Sequence, residues 1–197
     1  MIYTDHGQAY SDHDVLEILN SVKTIAMVGA SADEAKPSYH VLRFLIEAGY
    51  EMIPVNPRPD LTEILGQKVY PSLQSIDRPV DMVDVFRPSA ELAGIASVAV
   101  DIGASVLWAQ LGIHDDEAAR IAEASGLRVV MDRCPKIELA HAGRETNPTP
   151  ENSHIESVGP GFADAANGAT WADGPSDTTL KAVGATPSLT WDTTGYE

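Results

Sequence analysis

Cysteine is almost absent: Cys134 stands alone among 197 residues, so no internal disulfide can form and a reducing, cytoplasmic setting is expected. Basic charge is scarce as well, with 13 Lys and Arg against 29 Asp and Glu and a formal net charge of −16. An exterior of that sign repels nucleic-acid backbones and anionic membranes, which argues against both as partners. Only five lysines occur (Lys23, Lys36, Lys68, Lys136 and Lys181), so a site for a phosphorylated ligand has to gather its cations locally. No apolar run is long enough to span a bilayer, and Met1-Ile2-Tyr3-Thr4-Asp5 lacks the charged-then-apolar pattern of a secretion signal. The histidines show no metal-ligand spacing with one another or with Cys134, and no nucleophile-elbow or paired-histidine zinc motif occurs. Neither a bound metal nor a catalytic constellation is expected.

What is present is an orderly alternation of strands and helices, organised around residues 24–57. Thr24-Ile25-Ala26-Met27-Val28 reads as a buried strand ending at Gly29. Gly29-Ala30-Ser31 follows as a small-residue turn and residues 32–37 as a loop. From Ser38, Val41, Leu42, Leu45 and Ile46 recur at helical spacing, with Ser38 the expected N-cap and Gly49 the C-cap residue. Glu51 to Val55 reads as a second strand, closed by Asn56-Pro57. The resulting βαβ unit carries an anion site where its helix begins.

Upstream, Ser11 ahead of Val15, Leu16, Ile18 and Leu19 predicts a capped amphipathic helix. Downstream, residues 61–65 read as a short helical or irregular piece, Lys68-Val69-Tyr70 as a brief edge strand, and residues 71–76 as a short helix. Val80 to Phe86 reads as a third strand. Ser89 caps a helix through Val100 with Leu92, Ile95, Ala96 and Ala99 inward. Ser105 to Trp108 is a fourth strand, a helix runs from Asp115 or Asp116 to Ser125, and Leu127 to Met131 is a fifth strand. This pattern predicts an α/β fold, a Rossmann-like doubly wound parallel sheet of about five strands, with ligands beyond the strands' carboxyl ends. After about His141 the composition turns to Gly, Ala, Thr, Pro, Asp and Ser without periodicity. Residues 143–197, with eight acidic and two basic side chains, are expected to form a disordered tail appended to a domain of residues 1–142. The alternative to a plain disordered tail is that Trp171 and Trp191 within it are anchors for a protein partner.

Only the first glycine of a G-x-G-x-x-G dinucleotide fingerprint is present, and the acidic residue that grips an adenosine ribose at the second strand's end is missing. Arg58 stands there instead, and a cation suits a phosphorylated ribose better than a free diol; a solvated turn arginine is the plainer reading. Lys36 and Ser38 at the helix entrance are placed to meet a pyrophosphate, although surface charge and capping would account for each separately. An NAD(P)-binding redox sensor or oxidoreductase on the same fold is the alternative these residues leave open.

Seven motifs then occur in order: Val28-Gly29-Ala30-Ser31, Lys36-Pro37-Ser38, Gly49-Tyr50, Pro54-Val55-Asn56-Pro57, Val83-Asp84-Val85-Phe86-Arg87, Trp108-Ala109-Gln110-Leu111-Gly112 and Asp132-Arg133-Cys134-Pro135. Over residues 11–141 the chain closely resembles the stand-alone CoA-binding proteins (the YccU-like family), themselves similar to the N-terminal Rossmann-like domain of the succinyl-CoA synthetase alpha subunit. The resemblance implies that Gly29, Ala30, Ser31, Lys36 and Ser38 hold phosphate groups of coenzyme A. It implies that Val55, Asn56 and Pro57 line the adenosine side with Arg58 a possible contact to the 3′-phosphate, and that Val85, Phe86 and Arg87 form the floor. Trp108, Gln110 and Gly112 would face the pantetheine arm or an acyl group. The synthetase's second domain, with its phosphorylatable histidine, has no counterpart in this sequence, so the expected role is a non-catalytic carrier, sensor or accessory protein. Cys134 is placed where a pantetheine thiol would arrive. A mixed disulfide or redox sensing, with Arg133 favouring the thiolate, is set against a small buried hydrophobe.

Overall fold

The computed structural model describes His6 and residues 10–145. The chain enters through α1 (Asp12–Ser21), whose start is fixed by Ser11: its hydroxyl accepts from the Asp14 amide at 3.1 Å, a cap worth ~1 kcal/mol. The expected βαβ unit follows as β1 (Thr24–Val28), α2 (Pro37–Glu47) and β2 (Glu51–Val55), with Gly49 at φ +94° just past α2.

The next stretch departs from the sequence reading. Residues 61–65 are not helical: β3 (Glu63–Ile64) and β4 (Gln67–Lys68) pair antiparallel across Leu65 and Gly66, both at positive φ. Two left-handed residues give the twist that a two-residue hairpin needs. The edge strand expected over residues 68–70 is correspondingly reduced to Lys68 in the hairpin and one bridge from Tyr70 to Val55. The Tyr70 amide donates to the Pro54 carbonyl and its carbonyl accepts from the Asn56 amide, both at 2.9 Å, so this segment covers the outer edge of β2. Residues Leu73–Ser75 make one 3₁₀ turn.

The alternation then resumes with β5 (Met82–Val85), α3 (Ser89–Asp101), β6 (Val106–Ala109), α4 (Asp116–Ala124) and β7 (Arg128–Val130). Pro88, not Ser89, is the N-cap of α3; the Ser89 hydroxyl accepts from the His114 amide at 3.1 Å and ties α3 to the loop after β6. Asp115 caps α4 by accepting from the Ala118 amide at 2.7 Å. A final helix, α5 (Pro135–Glu145), has no counterpart in the sequence reading and carries the ordered fold three residues past 142. Apart from those three residues, the tail expected over 143–197 lies outside the described residues. No helix among the described residues is long and apolar enough to cross a membrane.

The main sheet has five parallel strands in the order β2-β1-β5-β6-β7. The winding direction reverses between β1 and β5, and right-handed crossovers then put α2 on one face and α3 and α4 on the other. The core divides accordingly. Ile25, Met27, Met52, Met82, Trp108 and Val130 pack with Val15, Leu19, Leu42 and Leu45 of α1 and α2. Ala26, Ile53, Val83, Val85, Leu107 and Val129 pack with Leu92, Ala96 and Ala99 of α3 and Ala118 and Ala122 of α4. Small alanine faces let α3 and α4 lie close to the sheet and to each other.

The opposite, amino-terminal rim is held by a carboxylate the sequence presents as an interruption of a strand. Asp81 Oδ2 accepts from the amides of Lys23 and Thr24 at 2.9 and 2.8 Å, joining the entry of β1 to that of β5. Removing the acceptor leaves two amides without their partner. Asp81→Ala is expected to destabilise the domain by ~1–3 kcal/mol in urea unfolding; a change below a few tenths would show that water replaces the carboxylate.

Candidate functional site

Strand register builds the opposite rim. Val55, Val28, Val85 and Ala109 lie in one row across β2, β1, β5 and β6, so Asn56, Gly29, Phe86 and Gln110 leave the sheet side by side. Gly29 sits where the strand order reverses. Its φ is +88°, its amide donates to the Val55 carbonyl at 3.0 Å, and an added Cβ would lie 3.3 Å from the Phe86 carbonyl carbon and 3.2 Å from Arg87 Cδ. A side chain there would be strained by conformation and crowded by the approach of the next strand. Asn56 clamps the same turn: its Nδ2 donates to the Ala30 carbonyl at 2.8 Å and its Oδ1 accepts from the Arg58 amide at 3.0 Å. The Ser31 hydroxyl accepts from the Asp33 amide at 3.1 Å and so shapes the following loop.

The entrance to α2 differs from expectation. Lys36 occupies the N-cap position and makes no side-chain cap, Pro37 opens the helix, and Ser38 is buried at the second helical position and does not cap. Pro37 accounts for the shift, because its fixed φ and missing N–H suit the first helical residue. The positive end of α2 is left uncapped, with exposed Lys36 beside it, an arrangement that favours an anion.

Beside this turn a cavity of about 420 Å³ opens between the ends of β1 and β2, the 3₁₀ turn and α3. Val28, Val55, Leu73, Ile95 and Val98 give it apolar walls, and Arg87 and Glu91 give it a charged side. Of the residues singled out in the sequence, Gly29, Val55, Pro57 and Arg87 meet here. Arg87 is already engaged: its Nε and Nη2 donate to the two oxygens of Glu91 at 2.9 and 2.6 Å. Arg58 is exposed and its Nε donates to Asp60 at 3.2 Å. Phe86 is half-buried and packs with the α1–α2 side of the core.

Several expected contacts are elsewhere. Trp108 is wholly buried, its Nε1 donating to the Arg133 carbonyl at 2.7 Å; strand alternation turns it into the α1–α2 core, so it does not face a ligand's pantetheine arm. Cys134 is buried in the same cluster, and burial pushes its thiol up rather than toward the thiolate. Arg133 does not favour the thiolate; its guanidinium donates to Glu138 at 3.1 Å. Gln110 is buried and donates through Nε2 to Asp84 Oδ1 at 2.8 Å. Gly112, at φ +75°, is exposed, and its amide donates to Asp132 Oδ1 at 2.6 Å near the end of β7.

The cavity lies where the strand order reverses, the place at which a doubly wound sheet offers a crevice to a ligand. Residues 23–140 match the family model described as a CoA binding domain. The chain belongs to the CoA binding domain family. The Bacillus subtilis (strain 168) protein YneT is 43% identical over 132 residues, covering 67% of this chain and 95% of YneT. A solved structure of a hypothetical protein from Pyrococcus horikoshii OT3 is 35% identical with a TM-score of 0.65, covering 72% of this chain and 98% of that one. A stretch of 78 residues is 41% identical to the acetate–CoA ligase [ADP-forming] I subunit alpha of Pyrococcus furiosus, covering 38% of this chain and 17% of that subunit.

One group in this CoA binding domain enters the sequence reading only inside the Val83–Arg87 motif, with no role of its own. Asp84, in the middle of β5, is wholly buried, with Oδ1 bonded to Gln110 and Oδ2 without a hydrogen-bond partner. Burial pushes its carboxyl up to about 7, opposed by its bonds to Gln110 and the Val85 amide. An aspartate within a Val-rich strand was the available signal, since an acid there has to be paired or protonated. The native state keeps this proton through pH values at which the unfolded chain has lost it, so stability falls as pH rises toward 7 and levels off above. Relative to Asp84→Asn, the wild type is expected to lose about 3 kcal/mol of stability between pH 5 and pH 8 in urea titrations. Parallel pH profiles for the two proteins would show that Asp84 does not titrate in this range.

Proposed function

We propose that this protein binds coenzyme A, free or as an acyl-CoA or CoA disulfide, at the carboxyl ends of β1, β2 and β5. In this reading it is a non-catalytic cytoplasmic carrier, sensor or accessory protein. The observation that carries the reading is the apolar cavity at the reversal of strand order, flanked by Gly29 and Arg87 within a chain of the CoA binding domain family. The tight Gly29 turn and the uncapped, Lys36-flanked start of α2 suit the pyrophosphate. Val55 and Pro57 offer apolar surface for the adenosine, and Arg58 stands one residue further on for the 3′-phosphate. The relationship to an acetate–CoA ligase subunit supports a CoA ligand and leaves the ligase reaction with that larger protein. Against a dinucleotide stand the missing second and third glycines and the Asn56-Pro57-Arg58 sequence where a ribose-binding acid would be needed.

Calorimetric titration tests the reading directly. Coenzyme A is expected to bind, dephospho-CoA more weakly, and NADH not at all. Replacing Lys36 and Arg58 together by glutamate is expected to weaken CoA binding at least tenfold, about 1.4 kcal/mol. Undiminished binding by that double variant would remove these two cations from the site, and tight NADH binding would overturn the assignment of the ligand.

A further inference from the structure

We propose that Arg87, Glu91 and Gly94 form a gate of size and charge over the cavity: a flat nucleobase lies against the bare helix backbone at Gly94, and a phosphate of the same ligand displaces Glu91 from Arg87. The proposal rests on the CoA reading for the ligand and assigns the cavity to its phosphorylated nucleoside end rather than to its pantetheine arm.

The first observation is a vacancy in α3. Glu91, Gly94, Ile95 and Val98 recur at positions i, i+3, i+4 and i+7 and all line the cavity, while Leu92, Ala96 and Ala99 of the same helix are in the core. Gly94 therefore occupies the centre of the helix stripe that faces the cavity. Glycine inside a helix destabilises it relative to alanine. Nothing in the described chain asks for it: Gly94 is not at positive φ, and a Cβ built there meets no atom within 4 Å. Gly29 makes the contrast, because there a Cβ would press on the backbone of the next strand. Space at Gly94 is kept free of the chain's own atoms on a surface that looks across at Val28, Val55 and Leu73. A planar ring between those apolar side chains and an exposed peptide plane would use that space.

The second observation is the state of the charges. Arg87 is the cation among the lining residues and Glu91 the anion, and they are joined in a two-point fork with each side chain 45% exposed. A phosphate presents the same pair of acceptor oxygens to a guanidinium, so it competes with Glu91 for one set of donors. Half-exposed pairs of this kind contribute little, and a more highly charged phosphate can replace the carboxylate. Glu91 then becomes a repulsive neighbour, and its effect on affinity is negative.

The test uses the full chain, with adenosine 3′,5′-bisphosphate, pantetheine and coenzyme A as probes in calorimetry. Wild type is expected to bind the bisphosphate in competition with CoA, and pantetheine is expected not to displace it. Gly94→Leu should weaken both CoA and bisphosphate at least tenfold. Glu91→Gln should tighten both several-fold. Gly94→Ala serves as the folding control and should melt no lower than wild type. A folded Gly94→Leu protein with unchanged affinity, or a Glu91→Gln protein with unchanged or weaker binding, overturns the gate while leaving the CoA reading in place. Displacement of the bisphosphate by pantetheine does the same. Failure of wild type to bind CoA at all overturns both.

Discussion

The approach of the β1–α2 turn to the end of β5 is the constraint on which the rest of the site depends. It occurs at the position where the strand order reverses, so helices leave to opposite faces and a cleft is left between the turn and α3. Gly29 makes the approach sterically feasible, and Asn56 fastens it from β2 by holding the Ala30 carbonyl. The cavity is a consequence: Val28 and Val55 end their strands in register, and the 3₁₀ turn lies beside them. The small alanine faces of α3 and α4 pack into the core on the same side of the sheet.

Charge in this domain is organised by competition. With more than twice as many acids as bases, most of the basic groups near the rim are held by a carboxylate: Arg58 by Asp60 and Arg87 by Glu91. Lys23 with Glu51 and Arg120 with Glu117 repeat the pattern away from it. Lys36, at the uncapped start of α2, is exposed and has no ion-pair partner among the described residues. The cations are therefore not equivalent toward an anionic ligand. For the proposed ligand, Lys36 would be available at once, whereas Arg58 and Arg87 would have to exchange one anion for another.

How far the sequence could be read depended on the length of each signal. Five-residue strands and helices with clear caps, such as Ser11 before α1 and Asp115 before α4, are legible because periodicity and capping agree. The β3–β4 hairpin is not, because two-residue strands are too short to show alternation and Leu65 gives no warning of a left-handed backbone. The helix α5 hides behind Cys134, although Pro135 as its first residue was the start signal. Trp108 is misplaced for a different reason: Val106-Leu107-Trp108-Ala109 is apolar on both faces, so the run identifies a buried strand without saying which face the tryptophan takes. The cavity draws residues from β1, β2, the 3₁₀ turn and α3, and only the topology brings them together. Gly94 carries its meaning through a missing atom, which no pattern of residue types displays.

An acidic chain and an anionic ligand are compatible because the opposing charges act over different distances. At physiological salt the screening length is ~8 Å, so most of the −16 net charge, spread over the whole chain, is screened at the rim. A guanidinium at contact distance is worth ~1 kcal/mol in water and several times that against a partly apolar wall. The walls of Val28, Val55, Leu73, Ile95 and Val98 supply that lower-dielectric surround next to Arg87. The same surround strengthens the repulsion of Glu91, which shares the cavity wall with Arg87. On the proposed CoA reading, affinity would be governed less by the overall charge than by which of two neighbouring acids, Glu91 or the ligand's phosphate, holds one arginine.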